Sequence, residues 1–309
     1  MVIHEGFENL KLQNPVVTTG IFDGVHRGHR VLLDSLVSKA KRLGRESVVV
    51  TFSPHPRLVL DNDTKGLSFL SSPGEKVKLL EASGVDHLVV IDFTTEFSAV
   101  SACDFVKEVL VKNIGTKNLV IGYDHHFGRG GKGNFDTIEQ CAGIYGLEVE
   151  RVEGFYTQGG PVSSSSIRNA LSSGDLVDAT LRLGYYYTLS GRVIKGRQIG
   201  RTIGFPTANI EPEYQHKLIP CKGVYAVEVY VSGNKYAGML SIGSNPTVNN
   251  DPMKRYIEVN ILDFNRDIYG ERVTLIFRKR LRDELKFENA IKLAEQIKID
   301  RENVVKLFS

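Results

Sequence analysis

The chain has 309 residues, 41% hydrophobic and 24% charged, the balance of a globular protein long enough for two cores rather than one. Its 39 Lys and Arg against 36 Asp and Glu leave a net charge of +3; that excess is spread along the chain, densest at Arg278 to Arg282, and does not make the basic stripe of a nucleic-acid binder. No apolar run reaches the roughly 18 residues of a membrane helix, Met1 to Gln13 lacks the apolar core of a secretion signal, and Cys103, Cys141 and Cys221 form no CxxC pair. The expectation is a cytoplasmic protein with buried free thiols, no disulfide framework, and neither a membrane nor nucleic acid as partner.

Roughly the first 180 residues alternate short apolar runs with helix-period segments, the pattern of a parallel α/β sheet. Predicted strands cover 16–20, 47–52, 87–91, 118–121 and 147–152; predicted helices cover 29–43, 74–83, 102–112 and 135–145. A further helical stretch spans 166–171 and resumes at 175–183 after Ser172-Ser173-Gly174. The texture then changes to closely spaced β-runs at 186–194, 224–231, 235–242, 255–262 and 272–277, which predict an antiparallel barrel. The tail, 287–308, recovers helical spacing through Ile291, Ala294, Ile297, Val304 and Phe308, a stripe that should pack on the barrel. The expected division is 1–184, Rossmann-like, and 185–309, a β-barrel with a terminal helix.

The sharpest local signal is Gly20-Ile21-Phe22-Asp23-Gly24-Val25-His26-Arg27-Gly28-His29. A strand ends, a glycine-bearing turn follows and a helix begins, so free amides and the positive end of a helix dipole are offered to phosphate. His26 and His29, three apart, can point to one side. The plainer alternative is a glycine turn with two solvated histidines. Ser163-Ser164-Ser165-Ser166-Ile167-Arg168 also precedes a helix and can form a second anion cradle, or simply a serine cap. In the second half, Gly191 to Asn209 carries Gly196, Gly200 and Gly204 interleaved with Lys195, Arg197 and Arg201; it does not match the GxxxxGK[ST] phosphate loop. Its end, Gly204-Phe205-Pro206-Thr207-Ala208-Asn209, places two oxygen-bearing side chains two residues apart, on one side of an extended segment, as Mg²⁺ beside ATP requires.

G-x-F-D-G-x-H-x-G-H with S-S-S-x-I-R resembles the adenylyltransferase half of the bacterial bifunctional riboflavin kinase/FAD synthetase family. Thr51-Phe52-Ser53-Pro54-His55-Pro56 and the Gly122-Tyr123-Asp124, Phe127-Gly128 stretch match the same family. The second half is similar to its riboflavin kinase signature through Pro206 to Asn209, Gly223-Val224-Tyr225, Asn245-Pro246-Thr247, Glu258 to Phe264 and Asp267 to Gly270. The chain departs from the pattern at His125 and His126, at Ser165 where threonine is usual, and at Val248 where an aromatic is common.

The resemblance implies two ATP-dependent reactions, riboflavin to FMN and FMN to FAD with release of pyrophosphate, both with Mg²⁺. It implies that Gly20, Phe22, Asp23, His26, His29, Ser164, Ser165 and Arg168 hold ATP in the first half, with His26, His29 and Arg168 serving adenylyl transfer. Gly196, Gly200, Arg201, Thr207 and Asn209 would hold ATP in the second, Thr207 and Asn209 also its metal. Asp124, Phe127, Arg282 and Asp283 would meet the flavin. A phosphate acceptor needs no base, whereas a ribityl hydroxyl does, and by the resemblance Glu258 is that base. Asp23 could equally cap its turn, Glu258 could be a solvated strand carboxylate, and Arg282 with Asp283 a solvated pair. Rival readings are an adenylyltransferase for a pantetheine or nicotinamide nucleotide, a class I aminoacyl-tRNA synthetase fragment, and a flavin-binding regulator. Small molecules are the expected partners, and the reading allows weak self-association.

Overall fold

The computed structural model describes every residue except 9, 11, 65, 124–132, 134, 197–199, 201–203 and 245–254. The chain divides into two compact units, residues 1–67 with 71–164, and residues 68–70 with 165–309.

In the first unit six strands, β1 (Val2–Glu5), β2 (Val16–Thr19), β3 (Ser47–Ser53), β4 (His87–Asp92), β5 (Asn118–Gly122) and β6 (Glu148–Val152), form one parallel sheet in the order β1-β4-β3-β2-β5-β6. Between them lie α1 (Arg27–Leu43), α2 (Pro56–Leu60), α3 (Pro73–Glu81), α4 (Thr95–Ser98), α5 (Ala102–Asp104), which runs on as a π-helix over Phe105–Ile114, and α6 (Phe135–Ile144). The sheet is covered on both faces, which is why its strands read as unbroken apolar runs rather than as alternation. Val17, Val48, Val50, Leu119 and Ile121 pack against Phe105, Val106, Leu110 and Ile138. Their strand neighbours Val16, Val49, Leu88 and Val120 pack against Leu33, Leu36 and Ala40 of α1 and Leu80 of α3. A small hairpin of β7 (Tyr156–Thr157) and β8 (Gly160–Pro161) follows.

Two features of this unit escape the sequence reading. β1 is an edge strand, and an exposed VIHE segment carries no apolar run to reveal it. Cys103 and Cys141 are joined as a disulfide with Cα atoms 5.2 Å apart, contrary to the expectation of free thiols. The reason is packing: α5 and α6 cover the same face of the sheet, bringing together residues 38 apart in sequence. Cys221 is free.

The second unit begins with helices α7 (Ser164–Ser173) and α8 (Leu176–Leu183), of which α7 starts one residue before the division. A closed antiparallel barrel follows. Its strands are β9 (Thr188–Ile194), β10 (Ala208–Pro212), β11 (Gly223–Val231), β12 (Asn234–Ser244), β13 (Arg255–Ile261) and β14 (Arg272–Arg282), in the order β10-β13-β12-β11-β14-β9. Alternate residues such as Leu189, Tyr225, Val227, Leu240, Val259, Leu275 and Phe277 are fully buried, as the filling of a small barrel requires. The last helix, α9 (Ala290–Phe308), lays Ile297, Val304 and Phe308 on Val224, Ala226 and Met239 of the barrel wall. The expected stripe is therefore real from Ile297 onward, while Ile291 stays 70% exposed.

Candidate active sites

β2 lies at the centre of the parallel sheet, with β3 and β4 running off to one side and β5 and β6 to the other. In open α/β sheets the crevice at the carboxyl ends of strands where the order reverses is the ligand site. The segment Gly20 to His26 leaves β2 at that point. Phe22 (φ 53°), Gly24 (φ 80°) and Val25 (φ 36°) are all left-handed, a conformation costing about 1–3 kcal/mol for each non-glycine residue. Burial of Phe22 and Val25 at 1% and 0% exposure holds it. Two distant segments pin the same turn. Asp23, itself buried, accepts the Ser71 amide at Oδ1 (3.2 Å), while the Gly24 amide donates to Ser71 Oγ (3.0 Å). The hydroxyl of Ser164, the last residue of the same unit, donates to the Asp23 carbonyl (2.9 Å).

His26 is the N-cap of α1, and its Nδ1 accepts the His29 amide at 3.3 Å. That contact makes Nδ1 the acceptor nitrogen of the His26 ring. The two rings stack, with centroids 3.7 Å apart and planes within 14°, and Phe22 closes the far side of His29 at 5.1 Å. Gly28 lies close against this stack: a Cβ there would stand 3.2 Å from the His26 ring and 3.3 Å from the Val162 carbonyl, so a side chain would press on both. Burial, then the charge of His26, then that of Lys76, hold the His29 imidazole well below its ordinary pKa. The Lys76 ammonium is also depressed by burial, with Asp23 acting against that. Sequence reading did not find Lys76. A lysine on α3 carries no local signal; its helix is set beside this turn by the contacts of Ser71 with Asp23 and Gly24 and by the packing of Leu80 in the cluster around Phe22 and Val25.

Of the second cradle, Ser164 joins the turn as described, and Arg168 Nη2 donates to Ser165 Oγ at 3.0 Å. β5 ends at Gly122; Asp124 and Phe127, along with His125 and His126, lie outside the described residues.

The barrel carries the other site. Asn209 on β10 stands opposite Glu258 on β13, which stands opposite Ser241 on β12, so the three share one rung and one face. Thr207 precedes β10 by one residue, and its hydroxyl reaches Glu258 Oε2 at 3.4 Å. Asn260, two residues along the same face, donates to the Pro206 carbonyl at 2.7 Å and fixes the entry into β10. Gly196 and Gly200 are close-approach glycines: a Cβ at 196 would collide with the Asn209 amide, and one at 200 with the Phe205 carbonyl. Arg201 and Asn245 to Thr247 lie outside the described residues. Beside Thr207 opens a cavity of about 180 Å³ between Pro206 to Ala208 and the Phe264 to Tyr269 loop, floored by Val193, Val259 and Ile261. An apolar floor with polar groups at its rim suits a nucleobase.

Arg282 binds Asp300 of α9 through Nε and Nη2 (3.0 and 2.7 Å to Oδ2), and its Nη1 donates to the Asp283 carbonyl. The plainer alternative to a flavin-facing role, a solvated Arg282–Asp283 pair, is not what the structure holds, because the buried Asp300 carboxylate is the better partner; Arg280 takes the Asp283 carboxylate instead. Among the described residues no cluster of three His, Cys, Asp or Glu could hold a metal ion, and no helix is long and apolar enough to cross a membrane.

Family models match the chain in two blocks, FAD synthetase over residues 8–166 and riboflavin kinase over residues 183–308. The bifunctional riboflavin kinase/FMN adenylyltransferase of Escherichia coli K12 is 37% identical over 305 residues, 97% of this chain and 96% of that protein. The protein of the same name from Listeria monocytogenes is 39% identical over 296 residues, 96% and 93% of the two chains. A solved structure from Streptococcus pneumoniae, described as a macrolide-efflux protein, superposes with a TM-score of 0.88 at 32% identity over 98% of each chain.

Proposed function

Because the chain belongs to the bifunctional riboflavin kinase/FMN adenylyltransferase family, we propose that its two halves phosphorylate riboflavin and adenylylate FMN at separate sites, built around Glu258 and around His26 and His29. FMN formation belongs to the carboxyl-terminal half and FAD formation to the amino-terminal half, with a functional boundary at 184/185. The observation that carries the reading is the difference between the two sites. The barrel rung holds a carboxylate against the Thr207 hydroxyl, whereas the turn after β2 presents two stacked imidazoles at a helix N-terminus.

In the kinase half the nucleophile is a neutral ribityl alcohol. Glu258 takes its proton as the new O–P bond forms to the γ-phosphorus and the bond to the β–γ bridging oxygen breaks, leaving ADP. The cavity beside Thr207 receives the adenine, and Gly196 and Gly200 let backbone approach the triphosphate. The Thr207 hydroxyl and Asn209 amide are hard oxygen donors, fitting Mg²⁺ carried in with ATP. Bound there, the ion would neutralise charge on the phosphate oxygens. Arg282 and Asp283 border the flavin.

In the transferase half the nucleophile is the FMN phosphate, already an anion, so no base is needed. Its oxygen bonds to the α-phosphorus of ATP as pyrophosphate leaves, and the site supplies alignment and neutralisation of charge. His26 and His29 face the triphosphate, with Ser164, Ser165 and Arg168 at the start of α7 and Gly20, Phe22 and Asp23 shaping the turn. Asp124 and Phe127 hold the isoalloxazine. Nothing in this scheme calls for nucleic acid or a membrane; it places both steps in the cytoplasm and allows weak self-association. Incubation with riboflavin, ATP and Mg²⁺, with FMN and FAD resolved by chromatography, tests it. Accumulation of neither flavin nucleotide would refute it.

A further inference from the structure

Tyr256 lies two residues before Glu258 on β13 and therefore projects from the same face. Its rung partner on β12 is Gly243, and the phenol folds across that glycine so closely that a Cβ at 243 would collide with the Tyr256 hydroxyl and with Glu284 Oε1. The hydroxyl donates to Glu284 Oε1 at 2.8 Å. Burial, the hydrogen bond to Glu284 and the charge of Glu258 all push the phenol above its ordinary pKa, so it is a neutral donor at any physiological pH. Glu284 itself sits on an exposed segment immediately after Arg282 and Asp283.

Position along β13 gives this contact a direction. On the Glu258 face of the strand Asn260 holds the carbonyl of Pro206, which lines the proposed nucleotide cavity; Glu258 comes next, and Tyr256 lies two residues beyond it, about 7 Å along the strand on the side away from Asn260. Phosphoryl transfer places attacking and leaving oxygens on opposite sides of phosphorus. A residue beyond the base, away from the nucleotide, is therefore on the acceptor's side.

We propose that Tyr256 is a positioning residue for riboflavin: through its hydrogen bond to Glu284 it holds the 283–289 segment against the Glu258 rung, where that segment meets the flavin. The inference rests on Glu258 facing the ribityl hydroxyl. The competing explanation is that the ring merely fills the hollow over Gly243, as aromatic side chains do over strand glycines. Tyr256→Phe separates the two, since it keeps the ring and removes the donor.

Steady-state riboflavin phosphorylation by the full chain should show the riboflavin KM raised about tenfold in Tyr256→Phe, the worth of one charge-assisted hydrogen bond. The ATP KM and the thermal midpoint should stay at their wild-type values. Glu284→Ala should reproduce that rise, Glu284→Gln, which keeps an acceptor, should largely avoid it, and the double variant Tyr256→Phe/Glu284→Ala should be no worse than either single one. An unchanged riboflavin KM, an equal rise in the ATP KM, or additive losses in the double variant would each overturn the proposal. Loss of turnover in Glu258→Ala alongside an unchanged KM in Tyr256→Phe would sink this inference alone and leave the base intact.

Discussion

The Thr207 hydroxyl donates to Glu258 Oε2 across 3.4 Å, from the segment that enters β10 to the strand that pairs with it. Thr207, Asn209 and Glu258 come together because antiparallel register puts partners on one face, which sets the proposed base beside the two proposed metal-binding side chains. Glu258→Ala should therefore lower riboflavin phosphorylation by about 10²–10⁴-fold, the usual worth of a general base. Conversion of added FMN to FAD should remain near wild type. Chromatographic assay of both steps on the same preparation checks this; parallel loss of both would mean that the halves do not work separately.

His29→Ala should do the converse. The ring is stacked on His26 and packed by Phe22, so its loss would both remove the proposed donor to the triphosphate and unpack its neighbour. A fall of about 10²–10³-fold in FAD formation is expected, comparable to removing one preorganised donor from a charged transition state, with FMN formation unchanged. Retention of full FAD synthesis would move the adenylyl site elsewhere.

The depressed His29 pKa also has a consequence for stability. In the unfolded chain this imidazole protonates near its ordinary value of 6.5, whereas in the fold it stays neutral to lower pH. Between those two values the unfolded state binds more protons, so stability falls as pH drops through that window. Denaturant titrations from pH 7.5 to pH 5 should show a shallower loss for His29→Gln than for the wild type. Identical slopes would mean that the imidazole is not buried as described.

Much of both sites could be read from the chain because their residues cluster locally. Gly20 to His29 and Gly204 to Asn209 each carry a turn and its candidate site side chains within a few residues, and Glu258 lies on a strand whose alternation is plain. What could not be read is what the sheet and barrel bring together from afar. Lys76 reaches the His26–His29 turn through Ser71 and Asp23, and the cavity beside Thr207 is closed by the Phe264 to Tyr269 loop against Pro206. The Cys103–Cys141 link depends on two helices covering one sheet face. β10 was seen only as an extended segment, since five residues with Asn, Glu and Pro among them show little strand character until β9 and β13 pair with them.

Arg282 is where the flavin-facing role proposed above and a structural one meet in a single side chain. Asp300, 3% exposed at its side chain, accepts the guanidinium from within α9, so the pair clamps the last helix to the end of β14. Removing one partner of such a pair leaves a charge poorly solvated and costs up to 3–5 kcal/mol when fully buried. Since the Arg282 side chain keeps 18% exposure, about 2 kcal/mol is the better figure, roughly 4–8 °C in the melting of a unit this size. Asp300→Ala should thus lower the barrel unit's calorimetric transition by that amount. Asp300 does not itself face the flavin in this scheme, and the freed Arg282 is no longer held in place, so the riboflavin KM should rise more than the ATP KM. A lowered transition with both constants unchanged would make Arg282 a clamp for α9 and remove it from the flavin site.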